Sequence, residues 1–274
     1  MSIANAATAS DARAAVAAAE SLSMDSKQHV APSGQVYSWG SGDFGRLGHG
    51  SSLPHTSASL IEILRDKNIR KVECGERHSC ALTADGALYS WGYGGDGQLG
   101  HGDFQVQTLP ALITGLRSKH IIDVVCGEKH TVALTSGGEV YCWGDGARGQ
   151  LGLGGNRKQP SPERVMELQG RMVLKISAGA YHTACILQNH DVYSWGAGAA
   201  GRLGVGHEQD ALVPTLVKSL EGKNIHTIKC YAEHTMAMTA ASDPSSDSIF
   251  ESESQARLLQ TVKELEVRHG DGGW

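Results

Sequence analysis

Two patterns in the chain have the residue types and spacing of chemical sites, and a third set of residues has the types alone. Gly40-x-Gly42-x-x-Gly45 follows an apolar run and matches the turn that presents backbone N–H groups to a dinucleotide pyrophosphate at the start of a helix. Cys74 and His78 stand at C-x-x-x-H spacing, as do Cys126 with His130 and Cys230 with His234, and a thiolate with an imidazole is a zinc-ligand pair. Ser, His and Asp, the parts of a nucleophilic hydrolase, are all present.

Each pattern recurs, and the recurrence weakens its chemical reading. The glycine turn returns at Gly92, Gly94 and Gly97, at Gly144, Gly146 and Gly149, and at Gly196, Gly198 and Gly201. A dinucleotide domain uses this turn once and then begins a helix. Here Leu-Gly-x-Gly follows every copy, and each further glycine would cost such a helix about 1 kcal/mol. The glycines are therefore expected to serve positive-φ turns between strands, and no cofactor is expected. The third copy of the cysteine–histidine block keeps His182 but holds Ala178 in the cysteine position, so that position asks for a small apolar side chain rather than a thiolate. No metal is expected. His78, His130, His182 and His234 read as structural, each donating a ring N–H to a backbone carbonyl at a junction between repeats. An active site is a local exception, and these histidines are copies of one position, so no catalytic residue is assigned.

The elements that must hold these residues follow from the period. Trp39, Trp91, Trp143 and Trp195 are each 52 residues apart. They lie in VYSWGSGDFGRLGHG from Val36, LYSWGYGGDGQLGHG from Leu88, VYCWGDGARGQLGLG from Val140 and VYSWGAGAAGRLGVG from Val192. A second block keeps the same step as CGERHSCAL, CGEKHTVAL, AGAYHTACI and CYAEHTMAM, and Pro110, Pro162 and Pro214 obey it too. Four units without insertion or deletion imply four stacked structural modules. Within a unit, IRKVECG, HSCALTA and ALYSWG are short β-prone runs bounded by Gly and by the Asp85-Gly86 turn pair, and PALITGL from Pro110 supplies an outer strand. Four short antiparallel strands make one propeller blade, which predicts an all-β fold. The four tryptophans read as packing between blades rather than as a stacking surface.

The run YSWG-x-G-x-x-G-x-LG-x-G followed by CG-x-x-H resembles the repeat of the regulator of chromosome condensation family, which includes the plant ultraviolet-B-receptor branch. The resemblance spans about residues 34–240. It implies a propeller of about seven four-stranded blades, whereas this chain has four units. The expectation is an incomplete, open propeller whose exposed ends associate with a second copy or a partner.

Composition sets further bounds. Residues 1–33 carry −1 and residues 241–274 carry −4 of the net −5, so the repeats are neutral and lack the basic field that attracts nucleic acid. Three of the six cysteines share one repeat position, which excludes a disulfide framework and suits a reducing cytoplasm or nucleus. No run reaches the length of a membrane span. Ten alanines in the first twenty residues, interrupted by Asp11, Arg13 and Glu20, read as a flexible arm over 1–33. Residues 241–274 read as a polar linker with a short amphipathic helix, through Leu258, Leu259, Val262 and Leu265, or as a disordered tail.

The functional expectation is a non-enzymatic protein-interaction scaffold. The tips that differ between copies are its candidate contacts: Asp43, Phe44, Asp96 and Arg148 in the glycine turns, and Glu76, Arg77, Glu128, Lys129 and Tyr181 in the histidine turns. The resemblance also implies two alternatives. One is nucleotide exchange on a Ran-like small GTPase, although the uninterrupted units contain no inserted wedge. The other is ultraviolet-B reception, which is disfavoured because the sensor-tryptophan positions hold Glu76, Glu128, Ala180 and Ala232.

Overall fold

The computed structural model describes residues 34–240. The expected arm and tail lie outside the described residues. Sixteen strands form five antiparallel sheets. Three sheets are complete blades: β3–β6 (Ile69–Cys74, His78–Thr83, Leu88–Gly92, Gln107–Leu112), β7–β10 (Ile121–Cys126, His130–Thr135, Val140–Gly144, Gln159–Arg164) and β11–β14 (Val173–Ala178, His182–Leu187, Val192–Gly196, Ala211–Leu216). Two half-blades flank them. β1 (Tyr37–Gly40) and β2 (His55–Leu60) are the outer pair of one blade, while β15 (Ile225–Cys230) and β16 (Thr235–Thr239) are the inner pair of another. The four repeats thus give an open arc, as the sequence suggested, but the frame of the blades is offset from the frame of the repeats.

The strands form where alternation and turn chemistry require. In β4, β8 and β12 every residue is buried, because these central strands are covered on both faces by neighbouring blades. Register is identical in each: His78, His130 and His182 stand opposite Gly92, Gly144 and Gly196, and the residue after each histidine faces Trp91, Trp143 or Trp195. The outer strand corrects the sequence reading. It spans Gln107–Leu112 with Pro110 inside it, and Thr114–Leu116 forms a turn of 3₁₀ helix. Proline is tolerated there because the strand is an edge whose partner register is already broken between Ser90 and Gly92.

The apolar cores lie between blades. One joins Cys80, Leu82 and Leu88 to Ile121, Val124, Cys126 and Trp143, and another joins Val132, Leu134 and Val140 to Val173, Ile176 and Trp195. Each blade therefore buries its apolar faces only against its neighbours.

Candidate functional site

Two polar relays stitch each blade to the next. The indole N–H groups of Trp91, Trp143 and Trp195 donate to the carbonyls of Arg46, Gln98 and Gln150, at 2.9, 2.9 and 3.0 Å. The hydroxyls of Ser79, Thr131 and Thr183 donate to the same three carbonyls. A hydroxyl committed in this way can only accept from a ring nitrogen. The Nε2 atoms of His78 and His130, 2.9 and 3.0 Å from the Thr131 and Thr183 hydroxyls, are therefore protonated donors. His182 does the same to Thr235 at 2.8 Å. The acceptor is thus a hydroxyl of the following blade rather than the backbone carbonyl expected from sequence. The Nδ1 atoms of all three rings are buried without a hydrogen-bond partner. Burial holds His130 at a pKa of about 3 and His182 at about 4, so both are neutral at physiological pH.

Two expected structural positions fall outside this scheme. Trp39 is only partly buried, and His234 is exposed beside Tyr231. Both belong to the half-blades, where no described residue completes the relay.

The glycine turns are closed by their own chain. A Cβ at Gly42, Gly94, Gly146 or Gly198 would lie 2.0, 1.9, 2.3 or 2.0 Å from the backbone carbonyl oxygen of Leu53, Gln105, Arg157 or Gln209, eleven residues further along the same loop. A carbonyl therefore occupies the space in which a phosphate would need donors. The glycine of each histidine block is equally constrained, since a Cβ on Gly127 would sit 2.1 Å from Cε1 of His130.

One cluster was not anticipated. His78, Cys80 and Cys126 each bring a ligand atom within 4.8 Å of the others, all buried. It joins a histidine to the cysteine of the following unit, not to Cys74 of its own. The neighbouring Cys80 and full burial raise the Cys126 thiol well above its ordinary range, so Cys126 is a neutral core group.

The candidate face is formed by both kinds of turn together. Tyr93, Asp145 and Ala197 donate backbone N–H to the carbonyls of Arg77, Lys129 and Tyr181, placing glycine and histidine turns on the same end of each complete blade. The histidine turns are chained across blades by Glu76 N–H to Glu128 O, Glu128 N–H to Ala180 O and Ala180 N–H to Ala232 O, each 3.3 Å. Phe44 and Tyr93 meet with ring centroids 4.9 Å apart, and the Arg77 guanidinium lies 5.4 Å over the Phe44 ring. Arg77 also pairs with Glu76 at 3.1 Å, Lys158 with Asp96 at 2.6 Å and Arg148 with Asp210 at 3.2 Å. The Tyr181 hydroxyl donates to Glu128, and burial with that carboxylate raises its pKa. All nine tips named from sequence reach the surface, since Asp43, Phe44 and Arg148 are exposed and the other six partly so. The sequence reading missed Tyr93, Lys158 and Asp210, which support those tips.

A second missed feature is the turn itself. Phe44 and Ala200 take φ of 60° and 57° in the two turns that continue with Arg-Leu-Gly. There Arg46 and Arg202 donate Nε–H to the carbonyls of residues 43 and 199. In the two Gln-Leu-Gly turns the Gln98 and Gln150 side chains accept from the Asp96 and Arg148 amides instead, and φ stays negative. The Arg or Gln after the third glycine was the available signal.

Repeated blades joined by tryptophan-to-carbonyl and histidine-to-hydroxyl relays define a β-propeller repeat protein. The chain belongs to the RCC1-like domain family, whose sequence model matches residues 11–243. It is 39% identical over 220 residues to the E3 ubiquitin-protein ligase HERC2 of Mus musculus, a match covering 78% of this chain and 4% of that protein. It is 37% identical over 205 residues to the ultraviolet-B receptor UVR8 of Arabidopsis thaliana, covering 74% of this chain and 47% of the receptor. Among solved structures it resembles human WBSCR16 with a TM-score of 0.69 at 25% identity, covering 77% of this chain and 55% of that one. It also resembles Prp20p of Saccharomyces cerevisiae with a TM-score of 0.67 at 24% identity, covering 81% and 56%. The chain therefore spans about half, or far less, of each of these relatives. Among the described residues no helix is long and apolar enough to cross a membrane.

Proposed function

We propose that the chain is a non-enzymatic protein-interaction scaffold whose docking face is the end of the blades bearing the histidine and glycine turns. The observation that carries this reading is a division of labour. At the junctions between blades the repeated Trp and His are consumed by relays, whereas Phe44, Arg77, Asp96, Glu128, Lys129, Arg148 and Tyr181 vary and reach the surface in the turns of that end. Varied side chains on a rigid frame give specificity without a reacting centre. The face mixes an aromatic–arginine anchor with acidic and basic groups, which suits a protein surface more than a polyanion.

Nucleotide exchange on a Ran-like GTPase is the second reading. It is supported by the fold it shares with Prp20p, a protein described with its binding to Gsp1p and to histones. One experiment separates the two. Partners captured from cell extract by the wild-type chain are compared with those captured by Phe44→Ala/Arg77→Glu, and a captured or purified small GTPase loaded with labelled GDP is then mixed with the chain. The scaffold reading expects specific partners that the double substitution releases, with no acceleration of GDP loss. Accelerated loss moves the assignment to exchange, and partners indifferent to the substitution remove the proposed face. Photoreception is not proposed, because the sensor positions hold Glu76, Glu128, Ala180 and Ala232.

A further inference from the structure

The two half-blades are the complementary parts of one blade. β16 corresponds to β4, β8 and β12, which are wholly buried and pair on their second edge with a YSWG or YCWG strand. In β16 that second edge pairs with no described strand, and Met236 and Met238 are 67% and 61% exposed. Yet the sequence keeps apolar Met236, Ala237 and Met238 where the other copies bury Cys80, Ala81 and Leu82, or Val132, Ala133 and Leu134. β1, at the other end of the arc, is a YSWG strand whose inner edge pairs with no described strand.

Atoms at the two ends match as well. At the three internal junctions the carbonyls of Arg46, Gln98 and Gln150 each receive a hydroxyl and an indole N–H. Among the described residues the corresponding carbonyl of Arg202 receives only the Thr235 hydroxyl. The indole of the next blade packs on Gly48, Gly100 and Gly152, whereas Gly204 has no such neighbour. Gly50, Gly102 and Gly154 donate to the next outer strand at Thr108, Pro160 and Leu212, while among the described residues Gly206 makes no such bond.

We infer that β16 of one copy pairs with β1 of a second copy, completing a composite blade in the register of the internal ones. His234 would stand opposite Gly40, Thr235 opposite Trp39, Met236 opposite Ser38 and Ala237 opposite Tyr37 of the second copy. The Trp39 indole then donates to the Arg202 carbonyl, Gly206 N–H to Thr56 O, Ala232 N–H to Glu76 O, and His234 Nε2–H to the Ser79 hydroxyl. Each contact repeats one made inside the chain at the same sequence step, so the second copy is fitted by the geometry that already joins neighbouring blades. Three complete blades per copy and two shared ones give a closed ring of eight, within the range of known propellers. Closure needs about 45° of turn per blade, against about 51° in a seven-bladed ring.

Light scattering after size exclusion of the full chain tests this. The wild type is expected at about 58 kDa, twice the 29.0 kDa chain. Met236→Arg, which spoils the β16 edge, and Trp39→Arg, which spoils β1, are each expected at the mass of one chain, with unchanged strand content by circular dichroism. An equimolar mixture of the two variants should recover the two-chain mass, because each supplies the end the other lacks. That recovery cannot come from misfolded protein. A wild type that stays monomeric over a wide concentration range overturns the inference, including the case where removing residues 241–274 exposes the edge and permits dimers. Dimers that survive both substitutions also overturn it, as does failure of the mixture to recover. Larger assemblies dissolved by both substitutions would keep the strand pairing and overturn the two-copy ring.

Discussion

Each junction between complete blades depends on a threonine hydroxyl that both accepts and donates a hydrogen bond. Thr131 accepts from His78 and donates to the Gln98 carbonyl, so Thr131→Val leaves a buried N–H without a partner and removes one of two donors from that carbonyl. An orphaned buried group costs about 1–3 kcal/mol. Thr131→Ser keeps both hydrogen bonds and removes only a methyl group, and Ser79 fills the same position at the preceding junction. In urea titrations Thr131→Val should therefore lose more stability than Thr131→Ser. The histidines predict an acid limit. His130 and His182 have folded pKa values of about 3 and about 4, below the unfolded value near 6.5, so the unfolded chain binds their protons first. Their contribution is complete above pH 6.5 and is lost as pH falls toward 4 and 3, at about 1.4 kcal/mol per pH unit for each ring. Thermal melting from pH 7 to pH 4 should show this slope, and His130→Gln should reduce it by about half.

Among the turns, glycines serve two different purposes that one substitution separates. Gly127 lacks a positive φ, and its constraint is the His130 ring 2.1 Å from any Cβ. Gly170 has φ of 77° with nothing within 4 Å. Gly170→Ala should cost about 1–2 kcal/mol of backbone strain. Gly127→Ala must displace a buried ring and with it the bond to Thr183, and should cost more by chemical denaturation. The same scale governs the glycine turns, where Arg or Gln decides which conformation forms. Gln98→Arg removes the acceptor of the Asp96 amide and supplies the Nε–H found in the Arg-Leu-Gly turns. Asp tolerates the left-handed region, so Asp96 is expected to move to positive φ with faster amide exchange, as read by nuclear magnetic resonance. This switch matters for binding, because it sets where Asp96 and Lys158 sit on the proposed docking face.

Across the whole molecule, stability should follow position in the arc. Each blade is held only by its neighbours, so the blade β7–β10, with a complete blade on each side, should exchange its amides most slowly. β16 has one described strand partner and exposed methionines, and should exchange fastest in dilute solution. Hydrogen exchange followed by mass spectrometry checks the order. If copies join as inferred, protection of β16 and β1 must rise together with concentration, while the central blade is unchanged.

The chain's sequence by itself determined the period, the strand class, the neutral repeats and the turn positions that differ between copies, because strands and tight turns are specified by residues close in sequence. Trp91 and His130 could be read as structural for the same reason, as copies of one position. Only the tertiary structure decided that Trp39 and His234, copies by sequence, lack the buried relays of their counterparts, that Cys80 meets Cys126 across a junction, and that Phe44 stands at positive φ. Those outcomes depend on which blade stands beside which, a contact about fifty residues away in the chain, and a repeat pattern is silent about what happens where the neighbour is missing.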